Sequence, residues 1–249
     1  MVLVSAGDKF LAQNTLFRSF IYRIIVEIYL RNLLKKSLLD LLDLSDPIDI
    51  VDIGANDIDG EPVYKKLLDL NIAKVIGFEP NSEALTRLND KKGPNEKYIG
   101  KAVFNGSQHE LKICVAEGMT SLLEPNLNLL NYLHLFPRFG KVNDRQKIQT
   151  VRLDDVKEIK NIDYLKIDIQ GGELEVFKNS PNFLSECSVI HTEVEFLPMY
   201  KNQPLFSEVE MFLREKGFIF HRFFPLVSRT IQPILINKNP YGELSQVTW

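Results

Sequence analysis

Val51-Asp52-Ile53-Gly54-Ala55-Asn56 places an acidic side chain, a lone glycine and an amide in sequence at the end of an apolar run. Glycine at such a point permits a tight strand-to-helix turn and lets a ligand approach the backbone. An acidic residue about 20 positions beyond a turn of this kind is placed to accept hydrogen bonds from both hydroxyls of a ribose. Glu79, in Phe78-Glu79-Pro80-Asn81, stands in that position. The combination points to a nucleoside-bearing ligand.

Charge decides which one. A dinucleotide sets its pyrophosphate at a helix N-terminus beside several glycines. Here a single glycine is followed by Asp57, Asp59 and Glu61, carboxylates that would repel a diphosphate. S-adenosylmethionine carries no phosphate, and its sulfonium and ammonium groups are positive. The turn therefore favours this methyl donor, with NAD and an oxidoreductase as the second reading. At the end of the expected third strand, Ala102 and Val103 offer small apolar groups for an adenine ring, or are plain strand-end packing.

Asp168 follows the apolar run Tyr164–Ile167, and His191, Glu193 and Glu195 alternate along one face of the next expected strand. Charges in a covered strand must lie at its open end or be paired. Methyl transfer to oxygen needs the acceptor aligned about 3 Å from the methyl carbon with water excluded. It also needs somewhere for a hydroxyl proton to go. Asp168, then Glu193, then His191 are the candidate proton acceptors. Each has a plainer reading: Asp168 bonded to backbone amides, Glu193 paired with Lys166 or an arginine, His191 satisfied within its strand. Asp154 and Asp155 could join Asp168 and Glu193 around magnesium, but no ligand set is fixed and no metal is expected.

These side chains need a scaffold. IDIVDIG, AKVIGFEP, DYLKIDI and CSVIHTEVEF are short runs rich in Val and Ile, while EPVYKKLLDL, SEALTRLND and GELEVFKN have helical spacing. The alternation predicts an α/β, Rossmann-like fold: a mostly parallel central sheet with helices on both faces. Gln108–Ala116 reads as a hairpin strand. Residues 123–147 show no clear period and are expected to form a long loop or lid. Their Tyr132, His134, Phe136, Arg138 and Phe139 suit a sugar or polyketide-like acceptor, or a loop packed on its own domain. Phe206–Lys216 reads as a helix stopped by Gly217, and Phe218–Phe224 as a late strand.

Before this pattern, residues 15–44 have helical spacing, so the chain divides into an N-terminal helical extension, 1–46, and a methyltransferase-like domain, 47–249. The extension is expected to pack on the main domain or on a second copy, making a homo-oligomer; a helix lying on a membrane surface is the other reading. Charges interrupt every apolar stretch from Phe17 to Leu44, which excludes a membrane span there. The first residues lack the pattern of a signal peptide. With 30 Lys and Arg against 33 Asp and Glu, the net charge of -3 gives no general attraction to nucleic acid. Two distant cysteines provide neither a disulfide framework nor a zinc site, and fit a cytoplasmic location.

Taken together, these segments resemble the FkbM-type family of S-adenosylmethionine-dependent methyltransferases. The resemblance runs through VDIGAN, FEPN, SLL (Ser121–Leu123), VRLDDV (Val151–Val156), DYLKIDIQGGELEVFKN and EVEFLPMYKNQPLFSEVEMFLREKGF, over roughly residues 48–224. It implies a class I methyltransferase fold and O-methylation of a hydroxyl on a sugar, glycan or secondary metabolite. A non-catalytic S-adenosylmethionine-binding module is the alternative. It further implies that Asp52, Gly54, Ala55 and Asn56 hold the donor's methionine portion and Glu79, followed by Pro80, its ribose. Asp168 and Gln170 would lie where donor and acceptor meet. Two departures stand out: Ile58 where the family has glycine, with Gly60 as its replacement or the turn reshaped, and a final strand that is either truncated away at Trp249 or supplied by Thr230–Ile236.

Overall fold

The computed structural model describes residues 46–56, 58, 60–224, 228–229, 231 and 247–248. The expected helix over 15–44, Asp57, Asp59 and all but one residue of the expected strand Thr230–Ile236 lie outside the described residues. The chain divides into two compact units, residues 1–47 with 64–72 and residues 48–63 with 73–249. In the first unit, the expected helix in EPVYKKLLDL contracts to α1 (Lys65–Asp69). Asn71 ends that turn by taking a left-handed backbone, φ 54°.

The strands of the second unit are β1 (Ile48–Ile53), β2 (Ala73–Phe78), β3 (Glu96–Ile99), β4 (Ala102–Val103), β5 (Gln108–Cys114), β6 (Val142–Val151), β7 (Tyr164–Ile167), β8 (Val189–Thr192), β9 (Ser228–Arg229) and β10 (Val247–Thr248). Five of them form a parallel sheet in the order β3-β2-β1-β7-β8. The chain steps outward from β1 to β3, then returns to add β7 and β8 on the opposite side. Strand order thus reverses between β1 and β7, where open α/β sheets leave a crevice beyond the carboxyl ends. Ile50, Val51, Asp52 and Ile53 are all buried, so both faces of β1 are covered. That is why the run is apolar without alternation.

After β2, α2 (Ser82–Lys91) starts at Asn81, whose side chain accepts from the amides of Glu83 and Ala84 at 2.9 and 3.0 Å. The main core joins Val51, Ile53, Phe78, Leu165 and Ile167 to Leu174, Val176 and Phe177. The last three belong to α5 (Glu173–Lys178), which follows β7 and precedes α6 (Pro181–Glu186).

A second sheet, β4-β6-β5, carries the antiparallel β5–β6 pair expected around Gln108–Ala116. Residues 123–147 are not a structureless lid. They contain α3 (Leu127–Leu130), α4 (Phe136–Phe139) and the start of β6. Leu130, Leu133 and Phe136, spaced by three, are buried with Met119, Met199 and Tyr200 in a core of their own. Helices of four residues are too short to show a period, which is why the sequence reads as loop there.

Two expected strands also change. CSVIHTEVEF is a strand only over Val189–Thr192, because β7, its neighbour in the sheet, ends at Ile167, the partner of Thr192. Phe218–Phe224 forms no strand; after α7 (Phe206–Glu215), Phe220 and Phe223 pack against the rings of Phe206 and Phe196 instead of entering a ladder. No helix among the described residues is long and apolar enough to cross a membrane. Cys114 and Cys187 are both free and buried.

Asp154 accepts the first amides of α6, from Asn182 and Phe183, at 3.2 and 3.0 Å. Asp154→Ala should therefore lower stability by about 1 kcal/mol, read as a fall in the urea midpoint at unchanged slope. An unmoved midpoint would mean that this cap contributes nothing.

Candidate active site at the carboxyl edge of the parallel sheet

Everything in the crevice is tied to the meeting of β1 and β7. Gly54 leaves β1 with φ 79°, and a first side-chain carbon there would lie 1.9 Å from the carbonyl oxygen of Asp168. Only glycine fits. The amides of Gly54 and Ala55 both donate to the Phe78 carbonyl at 3.1 Å, bending the chain over the end of β2. Lys166, inside β7, donates to the Gly54 carbonyl at 2.9 Å and pairs with Asp52 at 3.1 Å. Burial works against the Lys166 charge, but Asp52, Asp168 and Glu193 outweigh it and raise its pKa.

Past the turn, Asn56 donates to Glu117 at 2.7 Å and accepts from Arg87 at 3.2 Å. Ile58 is exposed, and Gly60, two positions later, adopts φ 100°. Glu79 is buried at the end of β2, where its carboxylate accepts from the Asn81 amide at 2.7 Å and its own amide donates to Ile99 of β3. Burial, with help from the charges of Glu117 and Asp52, pushes its pKa up to about 7. Pro80 follows, half-buried. Ala102 and Val103 are not the end of β3. They form β4, buried against Thr150 and Val151 of β6.

At the end of β7, the Asp168 amide donates to the Ile53 carbonyl at 3.0 Å. Gln170 and Gly171 both have positive φ, 61° and 97°, and fold the chain into a tight turn. Glu173 lies beneath it, accepting the amides of Ile169 and Gly171 at 2.9 and 3.2 Å. Its pKa is pushed to about 7 by burial and by Asp168. The Gln170 amide nitrogen donates to Asp168 and to Glu193, each at 2.8 Å. One carboxylate oxygen from each of Asp168, Glu173 and Glu193 lies within 4.8 Å of the others. Glu193 is exposed at the surface of the cluster, with its carboxylate crowded by protein, and desolvation with the charges of Asp168 and Glu195 raises its pKa above the usual carboxylate range.

The structure thus brings Asp168 and Glu193 together and leaves His191 apart from their bonds. His191 is hydrogen-bonded to the Tyr164 hydroxyl at 2.9 Å and meets the ring of Phe224. Burial and Lys166 lower its pKa. The expected alternation of His191, Glu193 and Glu195 fails because β8 stops at Thr192. Nor does Lys166 form its ion pair with Glu193; its partner is Asp52. Of the four acids considered for magnesium, Asp154 caps α6 and Asp155 pairs with Arg152. The sequence alone does not single out Glu173, Glu117, Arg87 or Tyr200. For Lys166 it does carry a signal: a lysine in the middle of Tyr164–Ile167 must find a carboxylate.

Residues 52–220 match the family model of the methyltransferase FkbM domain. The 2-O-methyltransferase NoeI of Sinorhizobium fredii (strain NBRC 101917 / NGR234) is 25% identical over 181 residues, 68% of this chain and 71% of that protein. A crystal structure of methyltransferase FkbM from Methylobacillus flagellatus KT shares 17% identity and a TM-score of 0.33, covering 57% of this chain. The chain spans 31% of that protein's length.

Removing one partner of a buried ion pair strands the other, so Lys166→Met should cost about 3–5 kcal/mol by urea unfolding. A loss no larger than that of a surface lysine would contradict the pin. A second expectation concerns pH. Glu79 and Glu173 have folded-state pKa values raised to about 7, so their contribution to stability is complete below their ordinary 4.5 and is lost as pH rises through about 7. The thermal midpoint should fall between about pH 5 and pH 8, and less steeply in Glu173→Gln, which keeps an oxygen for the two amides. An equal slope in both proteins would refute the assignment.

Proposed function

Because the chain belongs to the FkbM methyltransferase family, we propose that it transfers the methyl group of S-adenosylmethionine to a hydroxyl oxygen of a sugar, glycan or secondary metabolite. The observation that carries this reading is the crevice between β1 and β7. Glu79, an acid of the kind that accepts ribose hydroxyls, follows β2, and the carboxylates of Asp168 and Glu193 share the Gln170 amide nitrogen beyond β7.

The chemistry of these residues fits the donor. Glu79 makes one side-chain hydrogen bond among the described residues, to Asn81, which leaves acceptor capacity for two ribose hydroxyls. Gly54, Ala55 and Asn56 follow β1 at the same sheet edge, with Asp52 paired to Lys166. A crevice lined by Glu79, Glu117, Asp168 and Glu193 suits a cation, and repels a diphosphate. When bound, S-adenosylmethionine would supply a methyl group on a positively charged sulfur.

The chain's own part is to orient the acceptor hydroxyl and take its proton. Asp168 is the first choice for that proton and Glu193 the second. The raised proton affinity of Glu193 suits a group that must hold a proton near neutral pH. His191 ranks third, its ring being engaged with Tyr164. The relative named for 2-O-methylation supports an oxygen acceptor.

Calorimetry with S-adenosylhomocysteine should give micromolar binding, and NAD none; the reverse would sink the proposal. Glu79→Ala should weaken that binding by about 1–3 kcal/mol, the range for hydrogen bonds to a charged group. In the wild type, affinity should fall as pH drops below about 7, where Glu79 takes up a proton. With labelled S-adenosylmethionine and a panel of hydroxylated acceptors, Asp168→Asn should slow transfer about 100-fold or more; full activity would remove Asp168 from the proton's path.

A further inference from the structure

Asp168 and Glu193 repel when both are ionised, and can hydrogen-bond to each other only when one of them carries a proton. We propose that Gln170, its amide oxygen tied to the Tyr200 hydroxyl, is the positioning residue that holds the Asp168 and Glu193 carboxylates converged on one point. The assignment deepens the methyl-transfer reading and rests on it for what those carboxylates do.

Gln170 sits at φ 61°, a backbone region that a residue with a side chain enters at a cost. Four hydrogen bonds hold it there. Its carbonyl accepts from the Ser121 hydroxyl at 2.7 Å. Its side-chain nitrogen spends one hydrogen on Asp168 and the other on Glu193. Its side-chain oxygen accepts from the Tyr200 hydroxyl at 3.0 Å.

Tyr200 takes the other end of the amide. Its ring is buried, its amide is tied to the Gln203 side-chain oxygen at 3.0 Å, and its hydroxyl shares one proton between two acceptors, Gln170 Oε1 and the Met119 carbonyl. The orientation itself follows from the two carboxylates, which require the amide nitrogen on their side. Turned the other way, the amide would set its oxygen against two carboxylates. A neutral donor that serves both acids lets them approach without an added charge, and favours the ionised form of each.

The other charged groups around the pair are Glu173 below the turn, Glu195 beyond β8, and Lys166 and Asp52 on β7 and β1. None of them reaches both carboxylates through one atom in the bonds the structure describes.

The test is a carbon-13 NMR titration of the carboxyl carbons in wild type, Gln170→Leu and Tyr200→Phe, with circular dichroism to confirm folding. Losing the shared donor should move the Glu193 midpoint up by about one pH unit in Gln170→Leu. Tyr200→Phe should move it the same way by less, because an amide no longer held at its oxygen keeps both donor bonds in place for less of the time. Tyr200→Phe leaves position 170 untouched, so it decides the matter should Gln170→Leu fail to fold. A midpoint that stays in place in the folded variants overturns the proposal, since a purely structural glutamine would change stability alone. Neither donor nor acceptor enters this titration, so its result stands apart from any failure of the methyl-transfer reading.

Discussion

The closeness of two strand ends governs the rest of this molecule. Between Gly54 and the Asp168 carbonyl there is no room for even a methyl group. The ends of β1 and β7 thereby form a single platform, and whatever follows either strand is presented to the same crevice. Closeness alone would leave Asp52 as a buried charge, which is costly unless paired. Lys166 answers this from the neighbouring strand and reaches on to the Gly54 carbonyl. One side chain thus fixes the carboxylate of β1, the glycine turn and the strand that carries Asp168. A turn held this firmly can offer its backbone to a ligand without first having to order it.

Much of this frame is legible in the amino-acid sequence, for physical reasons that differ by region. β1 is buried on both faces over its second half, and β2 and β7 each bury one face fully, so apolar residues dominate and the runs stand out. Gly54 and Glu79 are legible because a tight turn and a strand-end acid each restrict residue type. The segment from Leu123 to Lys147 is not legible. Its core rests on single residues such as Leu130, Leu133 and Phe136, delivered by turns too short to carry a period. Phe218–Phe224 misleads for the opposite reason: aromatic residues favour strands on average, but among the described residues no strand pairs with them and ring contacts take over. Glu193 reaches the crevice as its spacing implies, although the strand expected to carry it ends one residue earlier.

Negative charge gathers beyond the strand ends. In the sequence, the acidic cluster that draws the eye is Asp57, Asp59 and Glu61 after the turn. Among the described residues, Glu79, Asp168, Glu173 and Glu193 carry charge at or just beyond the strand ends, and Glu117 adds to it near Glu79. Raised pKa values at Glu79, Glu173 and Glu193 all have desolvation as their first cause and nearby carboxylates as a further one. Such a crevice holds more acid than its own cations, Lys166 and Arg87, can balance. Concentrating carboxylates where water is scarce destabilises the fold at neutral pH, and proteins carry such costs mostly where a ligand or a reaction uses them.

The two halves of the crevice also share one support. Glu117 takes the side chains of Asn56 and Arg87 on the side of the glycine turn. Two residues on, the Met119 carbonyl faces the Tyr200 hydroxyl, and Ser121 donates to the Gln170 carbonyl. The stretch from Glu117 to Ser121 therefore touches the turn after β1 at one end and the carboxylate pair at the other. Two of these bonds use backbone oxygens, which any residue would supply, so composition cannot reveal them. The segment belongs to the smaller core of Met119, Leu130 and Tyr200, which also takes in the part of the chain that reads as an irregular loop. Packing of that core thus has a consequence beyond its own stability: it fixes the distance between the residues proposed to hold the donor and those proposed to accept a proton.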